Sequence, residues 1–223
     1  MSKLFVYGCS FSCAYLSNKE LPPIEKTEGW PYIVAKNIGY EIVDRSNPGY
    51  GYNHIENCLN KDLISDKISK EDIILISPSY FQRVTHPELV LNLLIDDGIQ
   101  DFHALNARYG KKMDEIVKIN VTRFCLKINT LKELGYKIYG WCWSLGGLTE
   151  EISDLKEHLL KLGSSIIPAP DSRLLWEDWI LDNSKYMLIP GKMLSDNSWT
   201  GDTHFSKHGH KAAAEQFVKF LST

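Results

Sequence analysis

Apolar positions along the chain fall into short unbroken runs that alternate with longer stretches where they recur every three or four residues. Strands and helices are therefore expected in turn. Lys3–Tyr7 is a β-branched and aromatic run stopped by Gly8, which reads as a buried strand. Trp30–Ile38 has helical spacing and stops at Gly39, Tyr40–Asp44 follows as a second strand, and Tyr52–Ile64 again has helical spacing. Asp72–Ser77 reads DIILIS, apolar nearly throughout, as strands covered on both faces are. Met113–Leu134 is a long helix ended by Gly135, and Lys137–Trp143 is a fourth strand. Thr149–Leu162 is a helix with Glu150 and Glu151 in its first turn, Ser164–Pro168 a fifth strand, and Ser206–Leu221 a closing helix.

Repeated strand–helix units joined by short links predict an α/β fold, a parallel sheet with helices on both faces. No internal repeat, low-complexity tract or linker divides the chain, so residues 1–223 read as a single domain. Two stretches break the alternation: a weakly helical one near 86–112 and an irregular one near 170–200. Ligands of open parallel sheets bind beyond the carboxyl ends of the strands, where such excursions are placed to wall a pocket.

Composition narrows the function classes. The 223 residues are 43% hydrophobic, enough for a sizeable core and too apolar for a disordered chain. Lys and Arg number 25 against 28 Asp and Glu, a net charge of −3 without a basic block. That removes the electrostatic attraction on which nucleic-acid binding mostly rests. No apolar run approaches the roughly 20 residues needed to cross a bilayer, and Met1–Tyr7 is too short for a signal peptide. A soluble, cytoplasmic protein with neither membrane nor nucleic-acid partner is expected. Cys9, Cys13, Cys58, Cys125 and Cys142 show no paired Cys-x-x-Cys spacing, and read as reduced thiols.

Two segments offer chemistry. Gly8–Cys9–Ser10–Phe11–Ser12 follows the first strand directly. A nucleophilic serine needs such a turn, so that its hydroxyl projects into the cleft and a backbone N–H can meet the developing oxyanion. The alternative is a turn whose serines cap a helix. Gly201–Asp202–Thr203–His204–Phe205–Ser206 precedes the last helix and combines an imidazole with a carboxylate, the partners a serine requires to react at neutral pH. Here the alternative is a helix start capped by Ser206 with His204 in solvent. Asp202, His204, His208 and His210 could also hold a metal, but a loop-to-helix boundary between His204 and His208 argues against a shared face. Cys9 would point away from a cleft that Ser10 points into. Asn47–Tyr52 is Gly-rich without the order of a dinucleotide loop.

Together and in order, these segments resemble the SGNH hydrolases, the GDSL-type serine esterases and lipases. Gly8–Cys9–Ser10–Phe11–Ser12 is similar to their first block, Gly-Asp-Ser-Leu, with Cys in the Asp position. Gly29–Trp30–Pro31–Tyr32 through Ala35 and Gly39 resembles the Trp-Pro helix often found before their second strand. Asp44–Gly49 is similar to the second block, Asn-x-Ala-x-x-Gly, and Asp202–Ser206 with Gly209–His210 to the last block and its Gly-His helix start. The resemblance implies a three-layer α/β/α sandwich, flavodoxin-like, with five parallel strands in the order 2-1-3-4-5. It implies Ser10 as nucleophile, His204 as general base and Asp202 as its orienter, with the N–H groups of Ser10 and Gly49 in the oxyanion hole.

Three departures qualify what is carried over. The third block, Gly-x-Asn-Asp, is missing; the strand end reads Leu75–Ile76–Ser77–Pro78–Ser79–Tyr80–Phe81–Gln82–Arg83, where Ser77 or Ser79 could replace the Asn donor. Arg83 could bind an anionic or polyhydroxy substrate, or serve as a structural ion-pair partner. Asp202 and His204 stand one residue closer than the family's Asp-x-x-His, so Asp196 is a substitute orienter, and Asp44 replaces the second block's Asn. Of the tryptophans, Trp176 and Trp179 are the best placed to line a substrate wall. The expectation is an esterase acting on short acyl groups, such as O-acetyl on a sugar or glycan, with no metal or cofactor. A catalytically impaired binding module and an acyltransferase are the alternatives.

Overall fold

A computed structural model describes residues 1–12, 24–78, 81, 102–144, 153–171, 175–191 and 202–223. Four parallel strands form its sheet in the order β2-β1-β3-β4: β1 (Lys3–Gly8), β2 (Glu41–Asp44), β3 (Ile73–Ser77) and β4 (Lys137–Gly140). Alternation along β1 sends Phe5 and Tyr7 to one face and Leu4 and Val6 to the other, and both faces are covered. The first face carries α2 (Tyr52–Ile64), α3 (Phe102–Glu133) and α4 (Ser153–Leu160), packed through Ile55, Leu59, Val121, Phe124, Ile128 and Leu159. The second carries α1 (Trp30–Ile38), α5 (Trp176–Leu181) and α6 (Lys207–Leu221), packed through Trp30, Val34, Trp176, Ile180, Ala213 and Phe217. This is the α/β/α sandwich expected. No helix among the described residues is long and apolar enough to cross a membrane.

The sheet has one strand fewer than expected. Ser164–Pro168 does run beside β4, but Gly163–Ser165 is a 3-10 turn and Ile166 makes only an isolated parallel bridge to Gly140. Ile167 N–H donates to the Gly140 carbonyl at 2.8 Å. The next carbonyl along that edge, that of Cys142, accepts instead from the Trp176 N–H at 3.3 Å, so no ladder builds on Ile166 and Ile167. Leu175 bridges Cys142 further along, which keeps the segment alongside without making it a strand. Strand four is likewise shorter than Lys137–Trp143. The long helix begins at Phe102, ahead of the expected Met113, so it takes in part of the stretch that read as an excursion. The expected Glu150 and Glu151 of the fourth helix's first turn lie outside the described residues.

The second irregular stretch contains order that its hydropathy did not announce. It holds α5 and β5 (Met187–Ile189), which forms a two-stranded antiparallel ribbon with β6 (Asp202–Phe205) just beyond it; Met187 pairs with Phe205 and Ile189 with Asp202, with a register shift between the two pairs. α6 starts directly after β6, where the Ser206 hydroxyl accepts from the Gly209 N–H at 3.1 Å.

The starts of α1 and α6 are stitched together at His210. Its Nδ1 accepts the Trp30 backbone N–H at 3.2 Å, one of the helix-start donors that would otherwise lack a partner. Burial lowers the pKa of His210 to about 4, helped by the nearby His204 and opposed by Glu28. An unfolded chain, with this imidazole near its ordinary 6.5, binds more protons than the folded chain between those two values. Stability therefore falls as pH drops through that window. In urea titrations followed by tryptophan fluorescence, this group is expected to remove on the order of 3 kcal/mol between about pH 7 and about pH 4. The His210→Gln variant, which keeps an acceptor for the Trp30 N–H, is expected to lose clearly less over that range; an identical pH dependence would refute the assignment.

Candidate active site

The carboxyl end of β1 is shaped by a glycine. A Cβ at Gly8 would collide with the Ser12 side chain, which folds back over the strand end as the Ser12 N–H reaches the Cys9 carbonyl at 3.0 Å. That turn leaves Cys9 fully buried in the core and lifts Ser10 to the edge of the sheet. The turn is fixed from outside by Trp30, whose Nε1–H donates to the Phe11 carbonyl at 2.9 Å.

The segment after β2 is hooked onto the same strand end. Arg45 N–H donates to the Val6 carbonyl at 2.8 Å and Asn47 N–H to the Gly8 carbonyl at 3.2 Å, carrying the ladder past the end of β2. The chain then turns at Gly49, whose φ of 81° is a left-handed value that favours glycine. Asp44 accepts from Ser46 N–H at 2.9 Å within this bend; burial raises its pKa, and the Ser46 hydrogen bonds oppose the rise.

β6 supplies the remaining groups. Asp202 and His204 meet on one side of this strand, which pairs with β5 through a register shift, while Phe205 is buried in the core. His204 Nδ1 lies 2.6 Å from Asp202 Oδ1, and the His204 backbone N–H donates to the same oxygen at 2.9 Å. The other ring nitrogen, Nε2, lies 2.7 Å from Ser10 Oγ, a residue 194 positions earlier in the chain. An ionised carboxylate only accepts, so Nδ1 carries the hydrogen and Nε2 is left to accept the Ser10 hydroxyl proton. Burial works against the Asp202 carboxylate. The hydrogen bonds and charge of His204 outweigh it, and the Asp202 pKa sits below the ordinary value. An imidazole held in this way can withdraw a proton from the serine as its oxygen attacks.

The structure thus brings Ser10, His204 and Asp202 into one hydrogen-bonded chain. Ser77 pairs with Gly8 in the parallel register, at the carboxyl edge of the sheet. Its hydroxyl is fully buried and has no hydrogen-bond partner among the described residues. Ser79, Arg83 and Asp196 lie outside the described residues. Trp176 and Trp179 do not line a substrate wall. Both are core residues, Trp176 packing edge-on against Trp141 and Phe205 and donating from Nε1 to the Ile167 carbonyl at 3.1 Å. The four-residue metal-type cluster disperses: His208 is exposed, and His210 turns inward to Trp30.

One contributor escaped sequence reasoning. Phe11 stacks flat on the His204 imidazole, with centroids 4.4 Å apart and planes 6° apart, and on Trp143 at 3.8 Å and 20°. The signal that was available is an aromatic residue where the family's first block has Leu.

No protein-family model matches the sequence, and no curated protein is significantly similar to it. Solved structures are similar in fold. A psychrotrophic esterase, EstA from Pseudoalteromonas sp., is 11% identical with a TM-score of 0.54, over 100% of this chain and 97% of its own. A member of the lipolytic G-D-S-L family from Veillonella parvula is 9% identical with a TM-score of 0.53, over 100% and 99%. An acetyl xylan esterase, AlAXEase, is 13% identical with a TM-score of 0.52, over 97% and 98%. With its strand order, two helical layers and whole-length likeness to these proteins, the chain has the fold of the SGNH hydrolase superfamily.

Proposed function

We propose that the protein is a serine esterase that cleaves carboxylic esters through an acyl intermediate on Ser10. The observation that carries this reading is the 2.7 Å contact between Ser10 Oγ and His204 Nε2, with Asp202 held at the far ring nitrogen. A module that only bound its ligand would have no use for that alignment.

Ser10 Oγ attacks the ester carbonyl carbon while its proton passes to His204 Nε2. The carbonyl π-pair moves onto oxygen, and the N–H groups of Ser10 and Gly49 receive the oxyanion. Each such donor contributes about 3 kcal/mol to the transition state. Collapse re-forms the carbonyl and breaks the bond to the alcohol oxygen, which leaves with the proton held by His204. Water then repeats the sequence, giving its proton to His204 and releasing the carboxylic acid. Asp202 holds the imidazole in the required tautomer and stabilises the imidazolium.

Small acyl groups on a sugar or other neutral alcohol are the proposed substrates. A net charge of −3 supplies no field to concentrate polyanions, and one protein of the same fold is an acetyl xylan esterase. The place of the absent Asn donor falls to Ser77 or Ser79. Ser77 has the stronger support, through its buried, unpartnered hydroxyl.

Wild-type protein is expected to hydrolyse p-nitrophenyl acetate and to be labelled on Ser10 by a fluorophosphonate. Ser10→Ala should fall to background in both assays, and equal rates would refute the reading. Asp202→Asn is expected to lower kcat by a factor on the order of 10⁴, because the amide reverses the hydrogen bond to Nδ1. Of Ser77→Ala and Ser79→Ala, the variant that loses the donor should drop kcat by about 10²-fold or more with little change in KM.

A further inference from the structure

The stack on His204 has a chemical consequence. The two ring nitrogens engage Asp202 and Ser10 along the edge of the imidazole, which leaves its faces for other contacts. One face meets the Phe11 ring, parallel within 6° and at 4.4 Å. Phe11 is itself immobilised: it is 2% exposed, its carbonyl is held by Trp30, and its ring also stacks on Trp143. A phenyl face is the negative side of the ring quadrupole, and a cation within about 6 Å of its centre is attracted. Against a neutral imidazole that attraction is absent; it switches on as the proton arrives.

We propose that Phe11 is a positioning residue for the imidazolium: through a cation–π contact it stabilises the protonated His204 formed at each proton transfer. The proposal rests on the reading of His204 as general base. Titratable groups beside this imidazole include Asp202 on its own strand and His210 at the start of α6. The aromatic contact comes from the turn after β1. His210 is neutral above about pH 4 and adds no charge of its own. Asp202 and Phe11 therefore favour the imidazolium by separate routes, one along its edge and one through its face. A leucine, the family's residue at this position, would fill the space without the quadrupole.

The test replaces electrons without replacing shape. 3,4,5-Trifluorophenylalanine at position 11 preserves the ring while withdrawing its negative face, and Phe11→Leu removes the ring altogether. Titration of the His204 imidazole by NMR, which needs no turnover, is expected to show both substitutions moving the midpoint down by about half to one pH unit. Esterase kcat on p-nitrophenyl acetate should fall about three- to tenfold with KM held. A trifluoro protein that titrates like wild type would overturn the proposal, since a purely steric role predicts that result. Inactivity of the wild-type enzyme would instead refute the esterase reading, and the titration would still decide the role of Phe11.

Discussion

The seating of β6 against β5 and the core governs this site. β6 pairs with β5 through a register shift between Met187 and Ile189, and along it the Asp202 carboxylate meets the His204 ring and N–H while Phe205 enters the core. The buried phenylalanine sets the register: rotating or slipping the strand by one residue would expose Phe205 and bury the two polar groups. The same burial that secures the fold thereby aims the imidazole at Ser10. In a loop, a spacing of one intervening residue looks too short for the pair; on a strand it is the natural spacing.

The opposite side of the contact is held just as firmly, by different means. Ser10 stands on a tight turn that Gly8 permits, and Trp30 ties that turn to the start of α1 by a hydrogen bond to Phe11. His210 ties the same helix start to α6, which follows β6 without a break. Residues that meet at the site from opposite ends of the chain are thus joined through one buried aromatic layer containing Trp30, Trp141, Trp176, Phe205 and Phe217. Stacked and edge-on rings leave few alternative arrangements, so the layer transmits position.

How far the sequence was legible follows from which forces were local. The helices Trp30–Ile38 and Tyr52–Ile64 end where periodicity and glycine said they would, because helix ends depend on neighbouring residues. The fifth strand failed because strand formation needs a partner's ladder, and the next carbonyl on that edge, that of Cys142, is taken by the Trp176 N–H. The two tryptophans of the irregular stretch were misjudged for a related reason. Six residues of α5 are too few to show a period, so nothing marked Trp176 and Trp179 as facing inward.

By itself the sequence determined the alternation of strands and helices, the order of the blocks and the candidate residues at strand ends. These are properties of short windows, where spacing and turn chemistry act directly. Only the tertiary structure decided that Ser10 and His204 lie 2.7 Å apart across 194 positions, that Asp202 reaches the same ring, and that Phe11 lies flat upon it. Those contacts depend on how a ribbon, a turn and two helix starts pack against a common core, and burial across the whole chain, not any local pattern, selects that packing.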